Sequence, residues 1–182
     1  MLAKSQKLTL DEFLAWSLDQ EDGRYELVDG VVYAQAAERA RHAEVKHNVA
    51  SLLKSGIKAA GASCYMLPDG MAVRISERTV YEPDALVYCG EKLASDAVVV
   101  TSPVIIVEVL SPGTKHIDKA SKLLGYFGIA SVQHYLIVDT EKELIIHHAR
   151  AGDDLIETRI VGAGELRLDP PSIVLPICDF FV

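Results

Sequence analysis

Apolar residues recur along this chain at two periods. At helical spacing they mark three segments. Phe13, Leu14, Trp16 and Leu18 follow Thr9-Leu10-Asp11-Glu12, a capping-box pattern in which Thr9 caps the helix start and Glu12 reaches back. A long helix is predicted from about Arg41 to Ala60, with Val45, Val49, Leu52 and Leu53 as its apolar stripe. His42 lies three residues before Val45 and projects from the same face. A third helix is predicted from about Ile117 to Phe127. Leu123, Leu124 and Phe127 take its core side, and Asp118, Lys122 and Tyr126 share another face at i, i+4, i+8.

Short β-type runs fill the rest. Arg24–Val28 and Val31–Gln35 flank Asp29-Gly30, a type I′ hairpin signal because Gly tolerates positive φ. Cys64–Leu67 and Met71–Ile75 predict a second hairpin around Asp69-Gly70. Pro83-Asp84 introduces Ala85–Tyr88. Pro103–Leu110 is the most continuous apolar strand, expected to be central and buried on both faces, and Ser111-Pro112-Gly113-Thr114 breaks it. Further strands are expected at Tyr135–Val138, Leu144–His148, Leu155–Val161 and Ile173–Leu175. Hairpins interleaved with helices predict an α/β fold of the mixed α+β kind. A central mixed sheet is flanked by helices, with an N-terminal β-hairpin, in a single domain over residues 1–182.

Composition narrows the classes. Of 182 residues, 49% are hydrophobic and 24% charged, which excludes disorder and low-complexity classes. No window approaches the roughly 18–20 apolar residues of a membrane span. Met1–Leu10 lacks the apolar core of a secretory signal, so the expected compartment is the cytoplasm. Cys64, Cys89 and Cys178 form no C-x-x-C pair. Buried free thiols are expected, rather than a disulfide or a zinc site. The net charge of −8 disfavours broad capture of nucleic acid, so any such role must rest on local cations or bridging metal ions.

Glu108 is the most informative residue, because an ionised side chain inside Val-Ile-Ile-Val-Glu-Val-Leu must be paired or bound to metal. Asp84 opens another apolar strand directly after Pro83. Neighbouring strands could present both carboxylates together. With a strand carbonyl such as that of Val109 they would make a hard-oxygen site for Mg²⁺ or Mn²⁺. Lys122, on the following helix, either forms a surface pair with Asp118 or leans over the metal site to stabilise developing charge.

Pro83-Asp84, Ile106–Pro112, Asp118–Tyr126 and Tyr135–Asp139, together with Arg24–Gly30 and the His42 helix, resemble the Uma-two family of endonuclease-like domains. That family falls within the PD-(D/E)XK restriction-endonuclease-like superfamily, and the resemblance spans roughly Leu8 to Phe181. It implies a restriction-endonuclease-like core and a metal-dependent phosphodiesterase. Asp84 and Glu108 would ligate Mg²⁺ with the Val109 carbonyl, Glu26 would join the site, and His42 would sit near it. The E-x-K position here is Leu110, and the resemblance points to Lys122 as the relocated lysine.

Each residue also has a plainer reading. Glu26 can be a polar strand residue paired across its hairpin, His42 a packed histidine bonded to a carbonyl, and Tyr126 a core residue. His147-His148 alternate faces, so they cannot share one metal and are expected to be structural or exposed. The leading expectation is a Mg²⁺-dependent endonuclease acting on DNA as a homodimer, with Lys115, His116 and Lys119, or Arg39, Arg41 and Lys46, as docking cations. Its rivals are a catalytically silent nucleic-acid-binding or protein-interaction module, which the acidity favours, and a hydrolase of another phosphodiester.

Overall fold

The computed structural model describes residues 7–20, 23–34, 37–110, 119–152 and 155–182, without the side chain of Lys119. Helix α1 (Leu10–Leu18) opens on the expected capping box: the Glu12 carboxylate accepts from the Thr9 N–H at 2.7 Å, and Thr9 Oγ1 accepts from the Glu12 N–H at 3.4 Å. Strands β1 (Tyr25–Val28) and β2 (Val31–Ala34) pair antiparallel through Asp29 and Gly30, whose φ values of 50° and 82° meet the type I′ requirement. Helix α2 (Ala40–Ala60) ends at Gly61 in the left-handed conformation.

Six strands follow: β3 (Cys64–Pro68), β4 (Ala72–Ser76), β5 (Thr79–Tyr81), β6 (Ala85–Cys89), β7 (Val99–Val100) and β8 (Pro103–Leu110). After helix α3 (Lys119–Phe127) come β9 (His134–Asp139), β10 (Leu144–Arg150), β11 (Ile156–Val161), β12 (Glu165–Leu168), β13 (Ile173–Pro176) and a 3₁₀ turn at Ile177–Phe180. The expected chain break at Ser111–Thr114 and the first residues of the third predicted helix lie outside the described residues, as does Gln35.

The central sheet has the order β11-β10-β9-β8-β6-β3, and β8 lies inside it, parallel to β9 and antiparallel to β6. Alternation along β8 gives its two faces different partners. Ile105, Val107 and Val109 pack beneath Val45, Val49, Leu53 and Ile57 of α2. Ile106 shares the other face with Leu86, Tyr135 and Ile137, covered by Tyr126 and Phe127 of α3. Glu108 falls on this α3 face. A second sheet, β2-β1-β5-β4-β7, closes over α3. A Cβ on Gly125 would lie 3.0 Å from the Tyr81 ring and 3.1 Å from Ile75, so glycine permits the close approach. Hairpin β12–β13 packs on the outer side of α2.

Two expectations are corrected. The β3 and β4 segments do not form a hairpin: β3 pairs with β6, while β4 pairs with β5 around Glu77-Arg78. Asp69-Gly70 is instead a crossover between sheets, and its carboxylate is taken by Arg24 and Lys46. The cysteines are not buried free thiols either. The β3–β6 register sets Cys64 opposite Cys89, where they form a disulfide, and Cys178 is exposed. Strands β5 and β7 are too short for a period-two signal.

His147 and His148 do face opposite ways and are both buried. His134 Nε2 donates to the Pro170 carbonyl at 3.1 Å, so its Nδ1 accepts from His147 Nε2 at 3.0 Å. His148 Nδ1 lies 2.8 Å from Thr158 Oγ1. Burial, with repulsion from His134, pushes His147 down to about 4. The unfolded imidazole titrates near 6.5, so between these values the unfolded chain binds the extra proton. Stability should therefore fall as pH drops through this window, by about 3 kcal/mol for His147. Urea unfolding at pH 7.5 and 4.5 checks this: the difference should shrink by that amount in His147→Gln, and an unchanged difference would refute the assignment.

Candidate active site

The side chains of interest gather at the C-terminal end of β8. The β6–β8 register pairs Ala85 with Val107, and one further step sets Asp84 opposite Glu108. Asp84 Oδ2 accepts from the Val109 N–H at 2.6 Å, which fixes the carboxylate beside the strand end. The Val109 carbonyl accepts from His42 Nε2 at 2.8 Å. Helix α2 therefore reaches the site through the residue three positions before Val45.

On the α3 face, Lys122 Nζ lies 2.8 Å from Glu108 Oε1 and 3.0 Å from Glu26 Oε1. The Tyr126 hydroxyl, one turn further along α3, donates to the same Glu108 oxygen at 2.7 Å. Glu26 comes from β1 in the other sheet and also accepts from the Glu82 N–H at 3.1 Å. The ammonium sits 5.3 Å from the centre of the Tyr81 ring, a cation–π contact. Burial works against the Lys122 charge, but Glu108 and Glu26 outweigh it and hold its pKa above the usual lysine range. Burial, reinforced by the negative charges of Asp84 and Glu26, pushes Glu108 up to about 7 despite Lys122. Lys122 is thus the fixed charge and Glu108 the group that titrates. Burial and Glu26 likewise push Glu82 up to about 7.

A second group adjoins the first through Asp84. Carboxylate oxygens of Glu38, Asp69 and Asp84 all lie within 4.8 Å of one another. Lys46 Nζ is 3.0 Å from Asp84 Oδ1 and 2.6 Å from Glu38 Oε1, and it also bonds Asp69. Arg24 bonds Asp69 and reaches Glu38 at 2.6 Å. Burial disfavours the Lys46 ammonium, yet these carboxylates hold its pKa above the usual value. Acid oxygens from two β-segments and a neighbouring carbonyl suit a hard divalent cation, and each carboxylate of the Asp84–Glu108 pair already holds an ammonium.

A family model described as "Uma2: Putative restriction endonuclease" matches residues 10–176. The chain belongs to the Uma2 family. Two uncharacterized Synechocystis proteins are similar: slr1290 is 26% identical over 89% of this chain and 85% of its own, and sll1609 is 28% identical over 84% and 86%. A crystal structure of a putative nuclease of the DUF820 group from Anabaena variabilis superposes with a TM-score of 0.73 at 17% identity, covering 96% of this chain and 97% of that one. The fold is that of the restriction-endonuclease-like nucleases, a mixed α+β arrangement with three α-helices among the described residues. No helix among these residues is long and apolar enough to cross a membrane.

Within this Uma2 chain the structure brings Asp84, Glu108, Val109, Lys122, Glu26 and His42 to one strand end. Asp118, Lys115 and His116 lie outside the described residues. Of the other expected docking cations, Lys46 is buried among carboxylates and Arg41 pairs with Glu143 at 2.9 Å. Arg39 is exposed. Sequence reasoning missed Glu38, Asp69 and the inward role of Lys46. One signal was present: Glu38, His42 and Lys46 sit at i, i+4, i+8, polar groups flanking the apolar stripe of α2. Reading Asp69-Gly70 as a hairpin turn concealed Asp69.

Proposed function

We propose that this Uma2 chain is a Mg²⁺- or Mn²⁺-dependent endonuclease that hydrolyses DNA phosphodiester bonds. One observation carries the reading: a buried ammonium is fixed on Glu108 at the end of a central strand whose neighbour presents Asp84. Asp84, Glu108 and the Val109 carbonyl would hold the ion, the carbonyl keeping one lone pair beyond its bond to His42. Such an ion activates water and neutralises the scissile phosphate.

The remaining work falls to the chain's own groups. Lys122 supplies a fixed positive charge where negative charge develops on the phosphate, and Glu26 holds it in place. Tyr126 fixes one Glu108 oxygen, and the other, without a partner among the described residues, can turn to a ligand. His42 and Asp84 grip the two sides of Val109, carbonyl and N–H, so the backbone there is positioned before substrate arrives. Cutting both strands of a duplex calls for two such centres, and a homodimer is part of the proposal.

The net charge of −8 favours a second reading, a silent binding or interaction module. Plasmid nicking with Mg²⁺ or Mn²⁺ separates them. Cleavage that depends on the ion and is lost in Asp84→Ala and Glu108→Ala supports the nuclease. DNA binding with no cleavage in either ion supports the module.

A further inference from the structure

The central sheet ends in two edge strands, β3 and β11, and they differ. Proline, lysine, bulges and short length are the usual devices that keep a sheet edge from pairing with another chain. Strand β3 ends in Pro68 and is tied to β6 by the Cys64–Cys89 disulfide. Strand β11 runs six residues in unbroken register with β10, with no proline and no lysine. Its Ile160 is 67% exposed, and Leu155, one residue before the strand, is 61% exposed.

The register fixes which groups of β11 look outward. The Ala151 N–H donates to the Leu155 carbonyl at 2.8 Å, in line with the β10–β11 pairing. Bonded and non-bonded pairs alternate along an antiparallel ladder, so Glu157, Arg159 and Val161 turn their backbone groups to β10. Ile156, Thr158 and Ile160 turn theirs outward, where no backbone hydrogen bond meets them among the described residues. The side chains sort by the same alternation. Ile156, Thr158 and Ile160 share the face that carries Ile146, and Glu157, Arg159 and Val161 share the other. Glu157 and Arg159 attract each other at 2.9 Å, with half or more of each side chain in solvent.

We propose that β11 is a homodimer interface, two copies pairing edge to edge and antiparallel about a two-fold axis at Thr158. In that register Ile156 of one copy meets Ile160 of the other, Thr158 meets its counterpart, Glu157 meets Arg159, and Leu155 meets Val161. The outward N–H and C=O groups of both copies satisfy one another. The sequence is self-complementary: apolar side chains meet on one face, and opposite charges meet on the other. The neighbouring registers that still pair the outward groups are centred on Glu157 or Arg159, and each sets like charges opposite, so the Thr158 register is selected. The axis is normal to the sheet, so both copies turn their α3 face, and with it the Glu108 site, the same way. The inference rests on the nuclease reading only in naming the interface of its homodimer; Asp84, Glu108 and Lys122 take no part in it.

The test is analytical ultracentrifugation of the full chain, without DNA or metal. Wild type should sediment as a dimer at micromolar concentration. Glu157→Arg sets arginines opposite each other and should weaken the dimer about tenfold or more, as should Ile160→Pro, whose lost N–H points away from β10. Combining Glu157→Arg with Arg159→Glu brings opposite charges together again and should restore the dimer. Circular dichroism checks that each variant keeps its fold. A wild-type chain that sediments as a monomer at that concentration overturns the proposal. So does a dimer that Glu157→Arg and Ile160→Pro leave unchanged, and so does a charge-swapped chain that stays monomeric. Plasmid nicking, a single-strand cut that needs no dimer, separates this inference from the nuclease reading. A dimer broken by Glu157→Arg that cleaves nothing supports the interface and sinks the nuclease. A wild-type monomer that nicks does the reverse.

Discussion

Lys122→Met is expected to cost about 3–5 kcal/mol of stability, the usual result of stripping the partner from a buried charge. The side chains of Glu26 and Glu108 are 7% and 16% exposed, and both direct an oxygen at this one ammonium. Without it, two buried carboxylates face each other with the Tyr126 hydroxyl and the Glu82 N–H as their donors among the described residues. Glu108, already pushed up to about 7, will rise further and bind a proton. The sign of the pH dependence follows. An unfolded glutamic acid ionises near 4.3, so between that value and the raised folded one the folded state binds the extra proton. Stability of the variant should therefore decline as pH rises through this window, and its deficit should be smaller at pH 5 than at pH 8. Adding Glu108→Gln should restore most of the stability, since a neutral amide replaces the orphaned charge. Cleavage should fall about 100-fold or more in Lys122→Met and should not return in the double variant. Urea unfolding at the two pH values and plasmid nicking read the two effects separately. A deficit below about 1 kcal/mol at pH 8 would mean that the carboxylates have another counter-charge.

The elements that position this site were legible because each carries a strong local signal. Thr9 and Glu12 announce α1, Asp29-Gly30 fixes the hairpin that carries Glu26, and Pro103–Leu110 can only be an interior strand. Glu108 stood out because a carboxylate in such a strand must have a partner, and Lys122 followed from helical spacing together with family resemblance. What escaped depends on contacts between distant segments. Helical spacing aligns Lys46 with Glu38 and His42, but it does not tell a solvated helix cation from an ammonium buried against Asp84. Asp69-Gly70 has the composition of a hairpin turn, and only the pairing of β3 with β6 and β4 with β5 shows that the chain changes sheets there. The Cys64–Cys89 bond is likewise a consequence of register, which sequence spacing does not encode.

Arg150→Met should lower the melting temperature by about 5–10 °C, although the residue touches none of the acidic groups. Its Nε donates to the Val132 carbonyl at 2.9 Å, and one terminal nitrogen donates to Phe127 at 2.8 Å and Ile129 at 3.2 Å. Phe127 ends α3, so these carbonyls belong to the helix terminus and the turn after it, where no intrahelical donor remains. The guanidinium also lies 5.3 Å from the Phe127 ring centre and carries positive charge to the negative end of the helix. Charge-assisted hydrogen bonds are worth about 1.5–3 kcal/mol each, and their non-additive sum should come to about 2–3 kcal/mol here. Each kcal/mol shifts melting by roughly 2–4 °C in a domain of this size. Because Arg150 sits on β10, it ties the end of α3 to the central sheet and so holds Lys122 and Tyr126 in register with Glu108. Arg150→Lys can keep one of the three bonds and should recover about a third to a half of the loss. Cleavage should drop in step with the loosening of α3. Melting of Arg150→Met at the wild-type temperature would show that the helix end is anchored by its apolar contacts alone.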